Sequence, residues 1–345
     1  MDTLFTPKCK GISLNYLITG CAGFIGHALT KSLLQKGNAV LGIDRLSNYY
    51  SIALKNYRLQ ELQQFHNFKF LQSEIKSDNL VSKVVQFSPE IVVHLAAQAG
   101  IRLPIEKYDQ YVNDNLVNFF SLTDLIAIVK PRLFLYASSS SVYGNSQNFP
   151  LSENQIKLKP TSFYGMTKLI NEFHAKKFFS DKDIKNIGLR FFTVYGPYGR
   201  PDMAVLKLIN CALSGTEFDL YGDGRVIRDF TYINDIVNLL EKIMAKSQKN
   251  IQKMPAVLNL GGGQPHTMLE LIDYVESIIG KKILMKKFES NVNDMKKTEA
   301  DFTNLQEFLG QKPEINFRSG LDMTLNWIIS NKLEDSLNDW IHNCD

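Results

Sequence analysis

The sequence predicts an α/β fold, a doubly wound parallel sheet followed by a smaller C-terminal lobe. Three observations carry this reading: short β-branched and aromatic runs alternate with stretches of helical spacing, a glycine-rich turn joins the first run to the first helical stretch, and an acid closes the second run. The runs cover residues 16–19, 39–43, 68–71, 91–95, 133–136 and 187–192. Each is short enough for a strand buried on both faces. Beyond residue 196 loop signals take over, among them Gly196-Pro197, Gly222-Asp223-Gly224 and Gly261-Gly262-Gly263. Residues 1–195 are therefore read as the sheet domain and 196–345 mainly as the smaller lobe. Residues 230–246 have helical spacing, with Ile233, Ile236, Val237, Leu240 and Ile243 on one face, and 257–260 read as one more buried strand. The span of about 230–260 is thus expected to rejoin the sheet domain. Residues 111–128 and 164–179 read as two long helices with apolar faces.

Composition narrows the function classes. Of 345 residues, 44% are apolar and 21% charged, as in ordinary globular chains. The 39 Lys and Arg against 35 Asp and Glu leave a net charge of +4, too little to imply nucleic acid but compatible with an anionic small substrate. The longest weakly polar run, 116–129, contains Asp124 and falls short of the roughly 20 residues of a bilayer crossing. With no secretory pattern in residues 1–10, the chain is expected to be cytoplasmic. Cys9, Cys21, Cys211 and Cys344 lie far apart, and the six histidines show no metal-ligand spacing, so neither disulfides nor a metal site is expected. His94, inside an apolar run, reads as a satisfied buried histidine near a cofactor.

Gly20, Gly23 and Gly26, with Phe24 and Ile25 between the last two, stand at a strand end and a helix start. Glycine there permits a tight turn and close approach of a pyrophosphate to the helix N-terminus, whose N–H groups and dipole favour an anion. Alone, such a pattern is weak evidence. Asp44, 18 residues past Gly26, stands where an acid accepts adenosine ribose hydroxyls, and its charge opposes a 2′-phosphate. NAD is thus favoured as the cofactor over NADP. Arg45, the next residue, is the one feature that would welcome that phosphate.

Tyr164 and Lys168 are four residues apart, one face of a helix. A surface Tyr and Lys so spaced are common; the serines 138–141 after the run at 133–136 change the reading, because strand carboxyl ends are where open α/β sheets bind ligands. Removing a hydride from a carbinol carbon requires a base for the hydroxyl proton. Tyr164 is read as that base, Lys168 and a nicotinamide cation as the charges that lower its pKa, and Ser139 as a donor to the reacting oxygen.

These residues, together with Gly42-Ile43-Asp44, Asn48-Tyr49-Tyr50, His94-Leu95-Ala96-Ala97-Gln98-Ala99-Gly100-Ile101-Arg102, Arg190-Phe191-Phe192-Thr193-Val194-Tyr195-Gly196-Pro197-Tyr198-Gly199-Arg200-Pro201-Asp202-Met203 and Arg228-Asp229-Phe230, resemble the extended short-chain dehydrogenases that act on nucleotide sugars, most closely UDP-glucuronate 4-epimerases. The resemblance covers about residues 16–328. It implies a Rossmann-like fold with a substrate-binding lobe, NAD retained through turnover, and a 4-keto sugar formed and reduced again on its other face. It further implies that Glu74, Ile75, Ala96, Ala97, Asn115 and Phe192 line the cofactor and that Arg102, Arg200 and Arg228 face a UDP-sugar. A homodimer formed through the two long helices and a role in polysaccharide biosynthesis are implied as well.

The same resemblance separates the reactions. Related dehydratases place an Asp-Glu pair, and decarboxylases a glutamate, where this chain has Ser140-Ser141. A polar cluster of Ser140, Ser141 and Thr193 would hold a sugar carboxylate and restrain loss of carbon dioxide. UDP-galactose 4-epimerases carry asparagine at the position of Thr193. Other readings are a 4-epimerase for UDP-glucose or UDP-N-acetylglucosamine, a UDP-glucuronate decarboxylase, and an NAD-binding sensor without catalysis. Departures from the subfamily are Arg45 for asparagine, Glu74 for aspartate, and Asn291-Val292-Asn293-Asp294-Met295 for a Pro-Gly-Asp-Val stretch.

Overall fold

The computed structural model describes residues 13–77, 79–247, 254–290 and 294–342; Cys9, Cys344 and Asn291-Val292-Asn293 lie outside the described residues. Strands β1 (Asn15–Thr19), β2 (Ala39–Asp44), β3 (Phe68–Gln72), β4 (Ile91–His94), β5 (Leu133–Ser139) and β6 (Lys185–Phe191) alternate with helices α1 (Phe24–Gln35), α2 (Ile52–Gln63), α3 (Leu80–Phe87), α4 (Tyr108–Tyr111), α5 (Asn118–Val129) and α6 (Phe163–Phe178). The chain continues through β7 (Thr193–Tyr195), α7 (Ala204–Ser214), β8 (Phe218–Tyr221), β9 (Ile227–Tyr232), α8 (Ile233–Lys246), β10 (Val257–Leu260), β11 (Pro265–Thr267), α9 (Met268–Ile279), β12 (Met285–Phe288), α10 (Thr303–Leu309), α11 (Phe317–Ser330) and α12 (Glu334–His342).

A seven-stranded parallel sheet runs in the order β3-β2-β1-β4-β5-β6-β10. Successive side chains alternate between faces, and both faces are buried. Ile18, Val93 and Leu135 enter a core covered by Leu29 and Leu33 of α1 and Ile236 and Leu240 of α8. Their neighbours Leu17, Val92 and Phe134 enter a second core with Leu80 and Val84 of α3 and Phe119 and Leu122 of α5. The order reverses between β1 and β4, which opens a crevice at the strand carboxyl ends. Beside this domain lie a three-stranded sheet, β11-β9-β7, and a parallel pair, β12-β8.

Three elements differ from the sequence reading. Residues 230–232 close strand β9 instead of opening a helix, because they continue a ladder with β7 and bury Phe230 and Tyr232. The helix read over 111–128 contains a π-helical turn, Val112–Val117. This extra residue per turn lets the adjacent Asp114 and Asn115 both be buried. Strand β5 extends through the serines to Ser139, where a hydrogen bond from Ser138 Oγ to Glu172 (2.5 Å) satisfies a hydroxyl that apolar patterning would have excluded. Cys21 and Cys211 are buried free thiols, and no helix among the described residues is long and apolar enough to cross a membrane.

Candidate active site

At the end of β1 the Gly23 N–H donates to the Gly20 carbonyl (2.9 Å), and a Cβ on Gly26 would stand 2.0 Å from that same carbonyl oxygen. Only glycine lets α1 pack this close. Helix α1 starts at Gly23 without a side-chain cap, which leaves its first N–H groups for an anion. At the end of β2, Asp44 accepts the Ala22 N–H (3.1 Å) on one carboxylate oxygen and the Leu46 N–H (2.8 Å) on the other. These bonds fix the carboxylate and leave lone pairs for ribose hydroxyls. A cleft opens here, lined among others by Gly20, Gly23, Asp44, Glu74, Ile75, Ala96 and Ala97. The uncapped helix, the oriented carboxylate and the cleft together fit a dinucleotide.

Other residues expected along the cofactor stand behind the wall. Phe24 and Gly26 are buried and Ile25 is half-buried against the core. Phe192 packs in a small cluster with Val142, Tyr143 and Leu151. Asn115 spends its amide on the Gln98 N–H (2.9 Å), the Gln98 carbonyl (3.1 Å) and Thr167 (3.1 Å), so it braces the loop after β4 against α6. Arg45 is held by Asp114 (2.5 Å) and stands 3.7 Å from Glu74, so two carboxylates already claim the charge that would meet a 2′-phosphate.

Past the His94 end of this cleft lie Ser139, Tyr164 and Lys168. Helix α6 is capped by Ser162, which accepts the Gly165 N–H (3.1 Å). Its first turn presses on the chain just past β5 so tightly that a Cβ on Gly165 would lie 2.7 Å from the Ser141 carbonyl oxygen. Tyr164 is thereby brought within hydrogen-bonding reach of Ser139, and the Lys168 ammonium lies 5.7 Å from the Tyr164 ring centroid. Ser139 Oγ also donates to Ser141 Oγ (3.1 Å) and accepts the Ser141 N–H (3.1 Å), while Ser140, in the short 3₁₀ turn Ser140–Tyr143 that follows β5, and Thr193, on β7, are half-buried.

Burial pushes the Tyr164 phenol above its ordinary value, and Arg200 and then the Ser139 hydrogen bond pull it back. Lys168 donates to the Ala137 carbonyl (3.0 Å) and is itself brought down to about 8 by burial. His94, bonded to Thr19 (2.6 Å), is lowered to about 3 by burial and the Lys168 charge, so it is neutral near pH 7.

Each of the predicted substrate arginines is held by groups within the protein. Arg200 makes two bonds to Asp202 (3.0 and 2.5 Å) and faces the Tyr49 ring at 5.7 Å. Arg102 pairs with Asp294 (2.5 Å) and lies over the Tyr221 ring (4.6 Å). Arg228 donates to the Met295 carbonyl (2.6 Å) and feels both Asp294 and Arg102. Arg102 and Arg228 therefore both lie within the field of the Asp294 carboxylate.

Sequence reasoning missed a buried network behind α6. Glu172, one turn beyond Lys168, takes Arg190 through two bonds (2.9 and 2.7 Å), and Arg190 donates to Tyr143 (2.9 Å). It also missed Lys55 and Arg58, both buried on α2. The available signal was their spacing, since they share the buried face of Leu54, Leu59 and Leu62.

A doubly wound sheet with a glycine turn, a strand-end aspartate and Ser139, Tyr164 and Lys168 at its carboxyl edge defines a dinucleotide-binding enzyme of the extended short-chain dehydrogenase class. The chain belongs to the NAD dependent epimerase/dehydratase family, whose model matches residues 16–261. It is 35% identical over 314 residues to the UDP-glucuronate 4-epimerase of Thermodesulfobacterium geofontis, covering 90% of this chain and 95% of that one. It is 33% identical to the probable UDP-glucuronate 4-epimerase of Rhizobium meliloti, covering 92% and 98% respectively. Among solved structures it resembles the Bacillus cereus UDP-glucuronic acid 4-epimerase in complex with UDP-glucuronic acid and NAD, with a TM-score of 0.86, 33% identity, and coverage of 92% of this chain and 100% of that one.

Proposed function

We propose that the protein is a UDP-glucuronate 4-epimerase that interconverts UDP-glucuronate and UDP-galacturonate. The observation that carries this reading is the Ser139–Tyr164 contact beside the dinucleotide cleft, in a chain with serines, not acids, at 140 and 141. NAD, held along Gly20, Gly23, Asp44, Glu74, Ile75, Ala96 and Ala97, supplies a hydride acceptor and donor when bound. Tyr164 takes the proton of the sugar 4-hydroxyl and returns it after the ring has turned. Ser139 donates to the same oxygen, and Lys168 adds positive charge beside the phenol. The Arg200 charge also favours the ionised phenol. Ser140, Ser141 and Thr193 receive the uronate carboxylate, whose charge they stabilise against loss as neutral carbon dioxide. Arg102 and Arg228, linked through Asp294, take the diphosphate.

Residues 1–195 with about 230–260 then form the cofactor domain, and the rest of 196–345 mainly the substrate lobe. The exposed stripe of Phe120, Ile128, Met166, Ile170 and Phe173 on α5 and α6 supports a homodimer through these helices. A cytoplasmic enzyme feeding uronate into polysaccharide biosynthesis is consistent with a UDP-sugar substrate.

Proton NMR of UDP-glucuronate with the purified protein and no added cofactor tests the reading. UDP-galacturonate is the expected product. A UDP-pentose would make the protein a decarboxylase, and turnover of UDP-glucose in preference to UDP-glucuronate would make it a neutral-sugar epimerase.

A further inference from the structure

Next to Asp44 the chain carries Arg45, a cation of the kind that receives the 2′-phosphate of NADP, in a family whose cofactor is NAD. The fold shows what becomes of that charge. Arg45 Nη2 donates to Asp114 Oδ2 (2.5 Å), and Nη1 stands 3.7 Å from Glu74. Asp44, Arg45, Glu74 and Asp114 all line the dinucleotide cleft. The two carboxylates that face Arg45 differ in strength. Glu74 also stands 3.7 Å from Lys76, and its side chain is 43% exposed, so its pull is divided and screened. The Asp114 side chain is 7% exposed, and a buried carboxylate is screened far less. Asp114 is therefore the chief holder of Arg45.

Asp114 reaches Arg45 because of the π-helical turn Val112–Val117. In an ordinary α-turn adjacent side chains diverge by about 100°, and Asn115 is committed to Gln98 and Thr167. The wider turn lets both neighbours be buried, and Asp114 goes to the cofactor side, its other oxygen accepting the Asn118 amide (3.5 Å). The backbone that carries Arg45 is fixed independently. Asp44 accepts the Leu46 N–H (2.8 Å), Leu46 holds a left-handed φ of +58°, and Lys55 donates to the Ser47 hydroxyl (3.0 Å). Loss of the Asp114 carboxylate thus frees the guanidinium and leaves its backbone in place.

We propose that Asp114 is a specificity-determining residue for the cofactor: by engaging Arg45 at the cleft wall it withholds from the ribose 2′-position the charge that would admit NADP. Asp44 repels a 2′-phosphate, and Asp114 removes the cation that would offset that repulsion, so two carboxylates enforce one choice. Lys55, the other cation lining this cleft, is turned to the Ser47 carbonyl and hydroxyl.

In the test, the full-length protein is incubated to constant composition with mixtures of NAD and NADP over a range of ratios, freed of unbound nucleotide and denatured, and the released cofactors are quantified. The parent is expected to hold NAD even where NADP is in large excess. In Asp114→Asn, which keeps the shape and loses the charge, the ratio of bound NADP to bound NAD is expected to rise about tenfold, the scale of one released charge near a protein surface. Adding Arg45→Asn cancels the rise, and Arg45→Asn alone leaves the parent ratio where it is, because that guanidinium is already engaged. An unchanged ratio in folded Asp114→Asn overturns the proposal. So does a rise that survives Arg45→Asn, or one produced only by loss of NAD, which leaves Asp114 a brace of the π-helical turn. If Asp114→Asn does not fold, Arg45→Asn decides on the same measurement: an unchanged NADP share supports the proposal, and a fall shows that Arg45 already serves the phosphate and overturns it. The readout is bound nucleotide, so a protein inactive on UDP-glucuronate overturns the substrate reading without touching this one.

Discussion

At Tyr164 burial opposes the ionisation that a base requires, and the site answers with Arg200 and Ser139. Lys168 contributes a cation that burial has brought to about 8, so near neutral pH it is mostly charged but titrates close to the working range. Replacing Tyr164 by Phe is expected to lower epimerisation by about 10²- to 10⁴-fold, the span of general acid–base contributions. NAD is expected to remain bound, because the glycine turn and Asp44 are untouched. Turnover by NMR and the cofactor released on denaturation check both parts; undiminished turnover would remove Tyr164 from the mechanism.

A helix–sheet contact and a helix pair hold the site elements in register. On α6, Glu172 neutralises the buried Arg190 through two bonds and accepts Ser138, which fixes the helix one turn from Lys168. Glu172→Ala leaves that guanidinium buried and unpaired and is expected to cost about 3–5 kcal/mol in urea denaturation. Between α1 and α2, Glu61 accepts from His27 (2.8 Å) and Lys31 (2.5 Å). Its burial alone would raise the carboxyl, but these two bonds win and hold it at about 2. The folded value lies below the ordinary one of 4.5, so this stabilisation is complete above about pH 4.5 and is lost as pH falls through about 2. Glu61→Gln is expected to flatten the acid limb of the stability profile in that window. A limb as steep as in the parent protein would show that other carboxylates set it.

For the whole molecule, the proposed dimer puts apolar side chains of α5 and α6 against their copies. Phe173 is 64% exposed and Ile128 59%, unusual for large apolar residues on adjoining helices. Phe173→Arg is expected to convert the protein to monomers in light scattering, with the sheet intact by circular dichroism. A parent protein already monomeric would send this face to another role. Asp229 accepts N–H groups of Gly262, Gly263 and Ala300 and so ties β9 to the loop leaving β10.

The sequence by itself determined the parallel sheet, the glycine turn with Asp44, and the pairing of Tyr164 with Lys168. Each is local: strand and helix periods are written in neighbouring residues, and a turn or a one-turn spacing needs no distant partner. It also pointed to β10, whose apolar run is legible although its partner β6 lies some 70 residues earlier. Tertiary structure alone decided which of four consecutive serines serves Glu172, because a strand sends adjacent residues to opposite faces. It decided that Asn115 braces a loop and that Asp114 claims Arg45. The spacing on α2 could place Arg58 on a buried face, but only the fold could reveal what it holds, since three of its partners are backbone carbonyls 36 to 141 residues away, and a carbonyl carries no trace in the residue type.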